Sequence, residues 1–537
     1  MKLMRKTLFF FVYLGLGFGL GLNLSACGKA TATPAVAAAQ AGIASSADQY
    51  QKAGTDYLAA RDYAQAIQSY DQAIELEPDR FLAYYGRAQA YAAIHKPEQA
   101  IADFDKVIDL NPAFGLAYPA RAAAYAELGK YDLAIADFDK AIETQPADPV
   151  NYVNRAVLFD AKQEYLFAVD DYTQALKLAP DNPTILNNRG NTYVKQGNID
   201  FALVDFSRAI EIQPGYALAY FNRARAYLDK KDQALALLDF SKVIELQPDF
   251  AGGYTGRASI YFSQQEYDKA LADFGQTVRL SPDDPTGYYY RGSVYAARGD
   301  NPEALADYNE WVRLSPQSAL AYYNRGIVYD RLGKFDLSLQ DYSRAIELAP
   351  DQIEFYNNRG NAYNQLGEYD KAVQDFVTAL NLDPVYALAY LNRGRAYQGL
   401  QQYEQALSDL NKAIELQPDD ATSYYNRSVV YYSLKRYDLA LEDASQTIKL
   451  QPELAATFIV RGLIYLQKKN IEKALEDFTE AIKLDPNNAQ AYYYRAVIYE
   501  SRGEKIKAMA DLEQSLTLNP GEVLRGDIEK MLKALGG

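Results

Sequence analysis

Between residues 47 and 522, small, aromatic and aliphatic residues recur at helical spacing, and the whole pattern repeats every 34 residues. Positions are numbered 1 to 34 within each repeat, so repeat one is 47–80 and repeat fourteen is 489–522. Position 4 is aromatic almost throughout (Tyr84, Tyr118, Tyr220, Tyr322, Tyr492), with Leu186 an exception, and position 11 is Tyr in all repeats but one, where it is Phe159. Seven residues make two helical turns, so these side chains share one face of a first helix. Position 8 is always Gly, Ala or Ser, and position 20 is Ala except at Ser338. Small residues there let two helix axes approach closely. Apolar residues continue through a second helix, as at Ile135, Phe138, Ala141 and Ile142. That helix is predicted to stop at the proline that follows, which lacks an amide hydrogen and clashes with the preceding turn.

These prolines run without a slip from Pro78 and Pro112 to Pro486 and Pro520. Gly129, Gly197, Gly333 and Gly367 mark the middle turn, where a positive φ is cheap for glycine. A fixed period of this length signals stacked units, each too small to bury its own apolar face.

Repeat one contains Tyr50, Gly54, Tyr57, Ala66, Tyr70, Ala73 and Pro78 in the order and spacing of the tetratricopeptide motif. The array resembles that family from residue 47 to 522. The resemblance implies an all-α fold, a right-handed superhelical solenoid of about 14 helix–turn–helix repeats making about two turns, with first helices lining the concave face. After it, Val523, Leu524, Ile528, Met531, Leu532 and Leu535 share one helical face over residues 523–537, as a capping helix requires.

Two features go beyond the generic motif. Repeats two to fourteen carry Arg at position 7 (Arg87, Arg121, Arg155 through Arg495) and Asp at position 23 (Asp103, Asp137, Asp171 through Asp511). They are expected to pair as an ionic ladder, within or between repeats; the alternative is two independent solvated rows.

The amino terminus has another composition. Lys2, Arg5 and Lys6 precede an apolar run from Thr7 to Leu22, too short to span a bilayer comfortably, and Leu24-Ser25-Ala26-Cys27 follows. The string resembles a bacterial lipobox, which implies that residues 1–26 are a signal peptide and that Cys27, the only cysteine, carries a lipid. Residues 27–46, rich in Ala, Thr and Ser, then read as a lipidated tether. The expected location is the bacterial cell envelope, lipid-anchored, at the outer membrane if the cell is Gram-negative, because the residue after Cys27 is Gly28 and not Asp. The chain carries 55 basic and 70 acidic residues, a net charge of −15. So acidic a surface repels phosphate backbones, which disfavours nucleic acid, and leaves membrane attachment to the lipid on Cys27.

No metal-ligand spacing, phosphate-binding loop or nucleophile motif occurs, so neither catalysis nor a cofactor is expected. The one histidine, His95, falls at a helix–helix turn and reads as an ordinary exposed turn residue. Positions 2 and 5 hold no lysine, which disfavours the family's clamp for acidic carboxyl-terminal tails.

The groove is instead rich in asparagine. Position 6 is Asn154, Asn188 and Asn222 in repeats four to six, and Asn324, Asn358, Asn392 and Asn426 in repeats nine to twelve. Asn187, Asn191 and Arg225 join the first set, and Asn357, Asn361 and Arg395 join the second, so repeats four to seven look duplicated as nine to twelve. This ladder resembles that of the O-linked N-acetylglucosamine transferase array, whose amides hold an extended peptide. An amide both donates and accepts, which suits main-chain recognition. The bland alternative is that Asn at position 6 is family background. Between the two sets lie Tyr289, Tyr290 and Tyr323, with Tyr425 and Tyr493 further on, side chains able to anchor a partner or stack on a sugar. Trp311 replaces a small residue at position 27 and is expected to fill space opposite Gly326.

The expected function is a non-catalytic scaffold holding a protein or extended peptide partner. The alternatives are a carbohydrate-handling lipoprotein of the polysaccharide-export type, which would guide a glycan, and a cytoplasmic adaptor.

Overall fold

The computed structural model describes residues 46–536, which form twenty-nine α-helices and no strand among them. They divide into two compact bodies that meet in sequence at Pro282 and Asp283. In both, each repeat contributes an antiparallel pair. In repeat ten, for example, the first helix is Ile353–Gln365 and the second is Tyr369–Leu382. Asp383 caps that second helix with its amide bonded to the Ala379 carbonyl, and Pro384 follows.

The entry to a first helix is fixed by short polar side chains. Asp148, Asn182, Asp284, Ser318, Asp420 and Asn488 each accept a hydrogen bond from a backbone amide of the first turn. The turn inside each repeat closes through one left-handed residue at position 15. Six repeats place Gly there, and the others use residues such as His95 (φ 54°), Lys231 (φ 62°) and Gln401 (φ 59°). His95 is exposed, as expected of a turn residue, and its Nδ1 lies 2.9 Å from Glu127 Oε1.

The small residue at position 8 faces the ring at position 24 of its own repeat. A Cβ added to Gly360 would lie 2.8 Å from Phe376, and one added to Gly326 would lie 2.7 Å from Tyr342. Ala66, Ala100, Ala168 and Ala372 at position 20 are wholly buried between the helices. Successive repeats are tied by the position-4 tyrosines. The hydroxyls of Tyr118, Tyr254, Tyr356 and Tyr390 donate to the carbonyls of Pro112, Pro248, Pro350 and Pro384 at 3.1–3.3 Å.

The last helix, Glu522–Gly536, lays Ile528 against Ala496 and Leu512, with Leu524, Met531, Leu532 and Leu535 around it. Val523, expected on the same face, is exposed instead, because it sits in the first turn rotated away from Ile528. No helix of the described residues is long and apolar enough to cross a membrane. Cys27 and residues 1–26 lie outside the described residues.

Candidate functional site

Within each body, first helices of neighbouring repeats approach one another, as Ile353–Gln365 and Ala387–Gly399 do. The side chains on the face that such first helices share are the candidates for binding.

The frame beneath that face is the arginine ladder, and all thirteen expected pairs form. Arg223 donates from Nε and Nη2 to both carboxylate oxygens of Asp239 at 2.8 Å, and the same fork recurs from Arg87–Asp103 to Arg495–Asp511. Each fork joins the first helix to the second helix of its own repeat. The third nitrogen decides the other half of the question, because in nine of the pairs Nη1 reaches the preceding repeat. It meets Asp71, Asp105 and Asp139 from Arg87, Arg121 and Arg155, and then neutral Thr173, Ser207 and Ser241 from Arg189, Arg223 and Arg257. The guanidinium also lies between two rings, 5.5 Å from Tyr220 and 5.8 Å from Tyr227 in the case of Arg223. The bond to Asp171 pushes the Arg155 guanidinium above its ordinary value, and burial pushes the Asp171 carboxyl up against the pull of that arginine.

The asparagines fall into two groups. Asn187, Asn222, Asn357 and Asn392 are buried. Asn222 donates to Asn187 Oδ1 at 2.9 Å, and Asn392 donates to Asn357 Oδ1 at 3.0 Å. One pair joins repeats five and six, and its twin joins repeats ten and eleven. The internal duplication seen in the sequence is thus a duplication of bonds as well. The other amides stand at the surface of the face. Asn154, Asn188, Asn191, Asn324, Asn358, Asn361 and Asn426 are half-buried, as is Arg225, and Arg395 is exposed. Some of these also hold internal bonds: Asn358 to the Tyr323 hydroxyl at 3.0 Å, Asn324 to the Leu320 carbonyl and Asn426 to the Thr422 carbonyl. Arg225 lies over the Phe221 ring.

The aromatic candidates are engaged in packing. Tyr289 lies 4.6 Å from Trp311, Tyr290 is buried, and Tyr323 lies 4.6 Å from Phe355. Burial pushes the Tyr290 hydroxyl up to about 12. Tyr425 is half-buried, and Tyr493 packs beside Ile528 of the last helix. Trp311 does fill space, but not opposite Gly326. Its neighbours are Tyr289 and Tyr308, and Gly326 faces Tyr342.

Two further residues of interest escaped the sequence reading. Asp160 and Asp330 occupy position 12 of repeats four and nine, each with one buried carboxylate oxygen that has no hydrogen-bond partner. Asp160 accepts from Thr192 Oγ1 at 2.9 Å, and Asp330 accepts from the Tyr342 hydroxyl at 2.7 Å. Burial raises both carboxyls above the ordinary range. The signal available was an acidic residue where most repeats are apolar, duplicated five repeats apart. No group of residues able to hold a metal ion occurs among the described residues.

Models of the tetratricopeptide repeat match residues 52–149, 159–250, 255–454 and 462–522, several with bounds such as 183–216, 217–250 and 421–454. The chain belongs to the tetratricopeptide-repeat family. No curated protein matches it. Among solved structures, it is similar to the APC/C hetero-tetramer Cut9–Hcn1, at 17% identity, covering 92% of this chain and 97% of that one, with a TM-score of 0.41. Yeast Tom70 is 18% identical over 79% of this chain and 96% of its own, with a TM-score of 0.40. A tetratricopeptide repeat protein from Parabacteroides merdae is 22% identical over 47% and 99%, with a TM-score of 0.41.

Proposed function

We propose that this chain is a non-catalytic scaffold, anchored by a lipid on Cys27 in the bacterial envelope, whose first-helix face holds an extended segment of a partner protein. The observation that carries this reading is the twin amide arrangement. A buried Asn–Asn bond, Asn222–Asn187 in one body and Asn392–Asn357 in the other, fixes a floor, and Asn188, Asn191, Asn358 and Asn361 stand beside it half-buried. Amides in this setting offer both a donor and an acceptor to a main chain and ask little of its side chains. The rings of Tyr289, Tyr290 and Tyr323 are used in packing, so a glycan platform has less support.

The test is cross-linking of the tagged full chain in intact cells, with mass spectrometry of the adducts and of Cys27. The expected result is a protein cross-linked at repeats four to six or nine to twelve, lost when Asn188→Ala, Asn191→Ala, Asn358→Ala and Asn361→Ala are combined. Recovery without a lipid on Cys27 removes the anchor, and adducts unaffected by the four substitutions remove the groove.

A further inference from the structure

The internal duplication lets one groove serve as a reference for the other, because a residue of repeats four to seven has its counterpart five repeats, or 170 residues, later. Two charges survive the duplication: Asp160 recurs as Asp330, and Arg225 recurs as Arg395. Their companions do not. Lys195 gives way to Gln365, Asp229 to Gly399 and Phe221 to Leu391.

In the first body both charges are answered within the chain. The Lys195 ammonium lies 3.3 Å from Asp160 Oδ2, and its side chain is 46% exposed, so it reaches the carboxylate from the solvent side. The Thr192 hydroxyl donates to the same oxygen. Arg225 lies over the Phe221 ring and stands one helical turn before Asp229. Burial raises the Asp229 carboxyl, and Arg225 pulls it back.

In the second body the same two charges are left open. Asp330 is half-buried, its Oδ2 accepts from the Tyr342 hydroxyl, and no cation pairs with it among the described residues. Arg331, next in sequence, turns instead to the Ala296 carbonyl at 2.6 Å. Gln365, exposed and uncharged, stands at the position of Lys195. Arg395 is exposed, with neither an ion pair nor a ring contact among the described residues. The Tyr369 ring fills the space where its acid would stand, 2.5 Å from a Cβ added to Gly399. A half-buried carboxylate without a counter-charge is a cost to folding that the first body avoids.

Building on the reading of this face as a peptide groove, we infer that the partner segment supplies the missing charges: a basic side chain at Asp330, in the place Lys195 takes in the twin, and an acidic one at Arg395. The two residues lie on the first helices either side of Ile353–Gln365, which approaches both and carries Asn358 and Asn361. Neighbouring helices pack about 8–10 Å apart, so an extended segment covers the distance between the two charges in about five or six residues. The first groove, neutralised from within, asks for no charge.

The test is selection of random phage-displayed peptides on the detergent-solubilised full chain. The expected sequences carry Lys or Arg and Asp or Glu about five or six residues apart. A selected peptide loses about tenfold in affinity on Arg395→Gln, and again on Gln365→Lys, which returns the first body's cation to Asp330. Selection on Arg395→Glu exchanges the acidic residue for a basic one. Asp330→Asn weakens the peptide without lowering Tm, which separates binding from folding. Peptides enriched without the charge pair, or lost on Asn358→Ala with Asn361→Ala but indifferent to the charge substitutions, overturn this inference and leave the groove standing. A folded chain that enriches no peptide overturns both.

Discussion

Arg359 and Asp375 meet edge to edge, with Nε and Nη2 of the arginine donating to the two carboxylate oxygens at 2.8 and 2.7 Å across the two helices of repeat ten. The aspartate is buried and the arginine only partly exposed, so the aspartate without its partner has little water to fall back on.

Removing one partner strands the other. Arg359→Met is expected to destabilise repeat ten by about 3–5 kcal/mol, and Arg359→Met with Asp375→Leu to recover most of that loss. Hydrogen exchange resolved by repeat is the suitable measurement, since a repeat array need not unfold as one unit. Full protection in the single variant would return the pair to the solvated-row reading.

The twin amide pairs give a second expectation. Asn222→Ala leaves Asn187 Oδ1 buried without its donor, at a cost of about 1–3 kcal/mol. Asn392→Ala leaves Asn357 in the same position and should cost a similar amount. Denaturant titration of the two variants checks this, and unequal effects would mean that the duplicated bonds do not do the same job in the two bodies.

Turn residues provide a stabilising change. Lys231 and Gln401 adopt the left-handed conformation that six other repeats assign to glycine. Lys231→Gly and Gln401→Gly should each stabilise by about 1 kcal/mol, seen as a rise in Tm.

Asp330 sets a pH dependence. Its carboxyl is raised by burial, so the folded state holds the proton more tightly than the unfolded chain does. The contribution of this group is fully present below the ordinary aspartate value of about 3.9 and is lost as pH rises through the higher folded value. Asp330→Asn keeps an acceptor for the Tyr342 hydroxyl and removes the titration. It should therefore raise Tm at neutral pH, with the difference shrinking towards pH 4. A difference constant with pH would show that Asp330 titrates normally.

Much of this molecule is readable along the chain because its contacts are short in sequence and recur. The fork from Arg359 spans sixteen residues to Asp375, and the Tyr356 bond spans six to Pro350. A 34-residue period therefore specifies these contacts as soon as it specifies the helices. Whether the arginine fork closes within a repeat or between repeats was not settled by the same spacing, since position 7 lies sixteen residues from position 23 of its own repeat and sixteen from position 25 of the one before.

The groove needed the third dimension. Asn187 and Asn357 stand at position 5 beside Asn188 and Asn358 at position 6, and nothing in their order says which amide turns inward. Asn222 reaches Asn187 across 35 residues because the packing of successive first helices brings position 6 of one beside position 5 of the other. Asp330 and Trp311 likewise took their neighbours, Tyr342 and Tyr289, from the packing of two helices rather than from spacing along one. The sequence by itself determined the helices, their pairing and the ladder that locks each pair, because those follow from local periodicity. The tertiary structure decided which amides are spent on one another and which aromatic rings are buried, because those depend on how one repeat is rotated against the next.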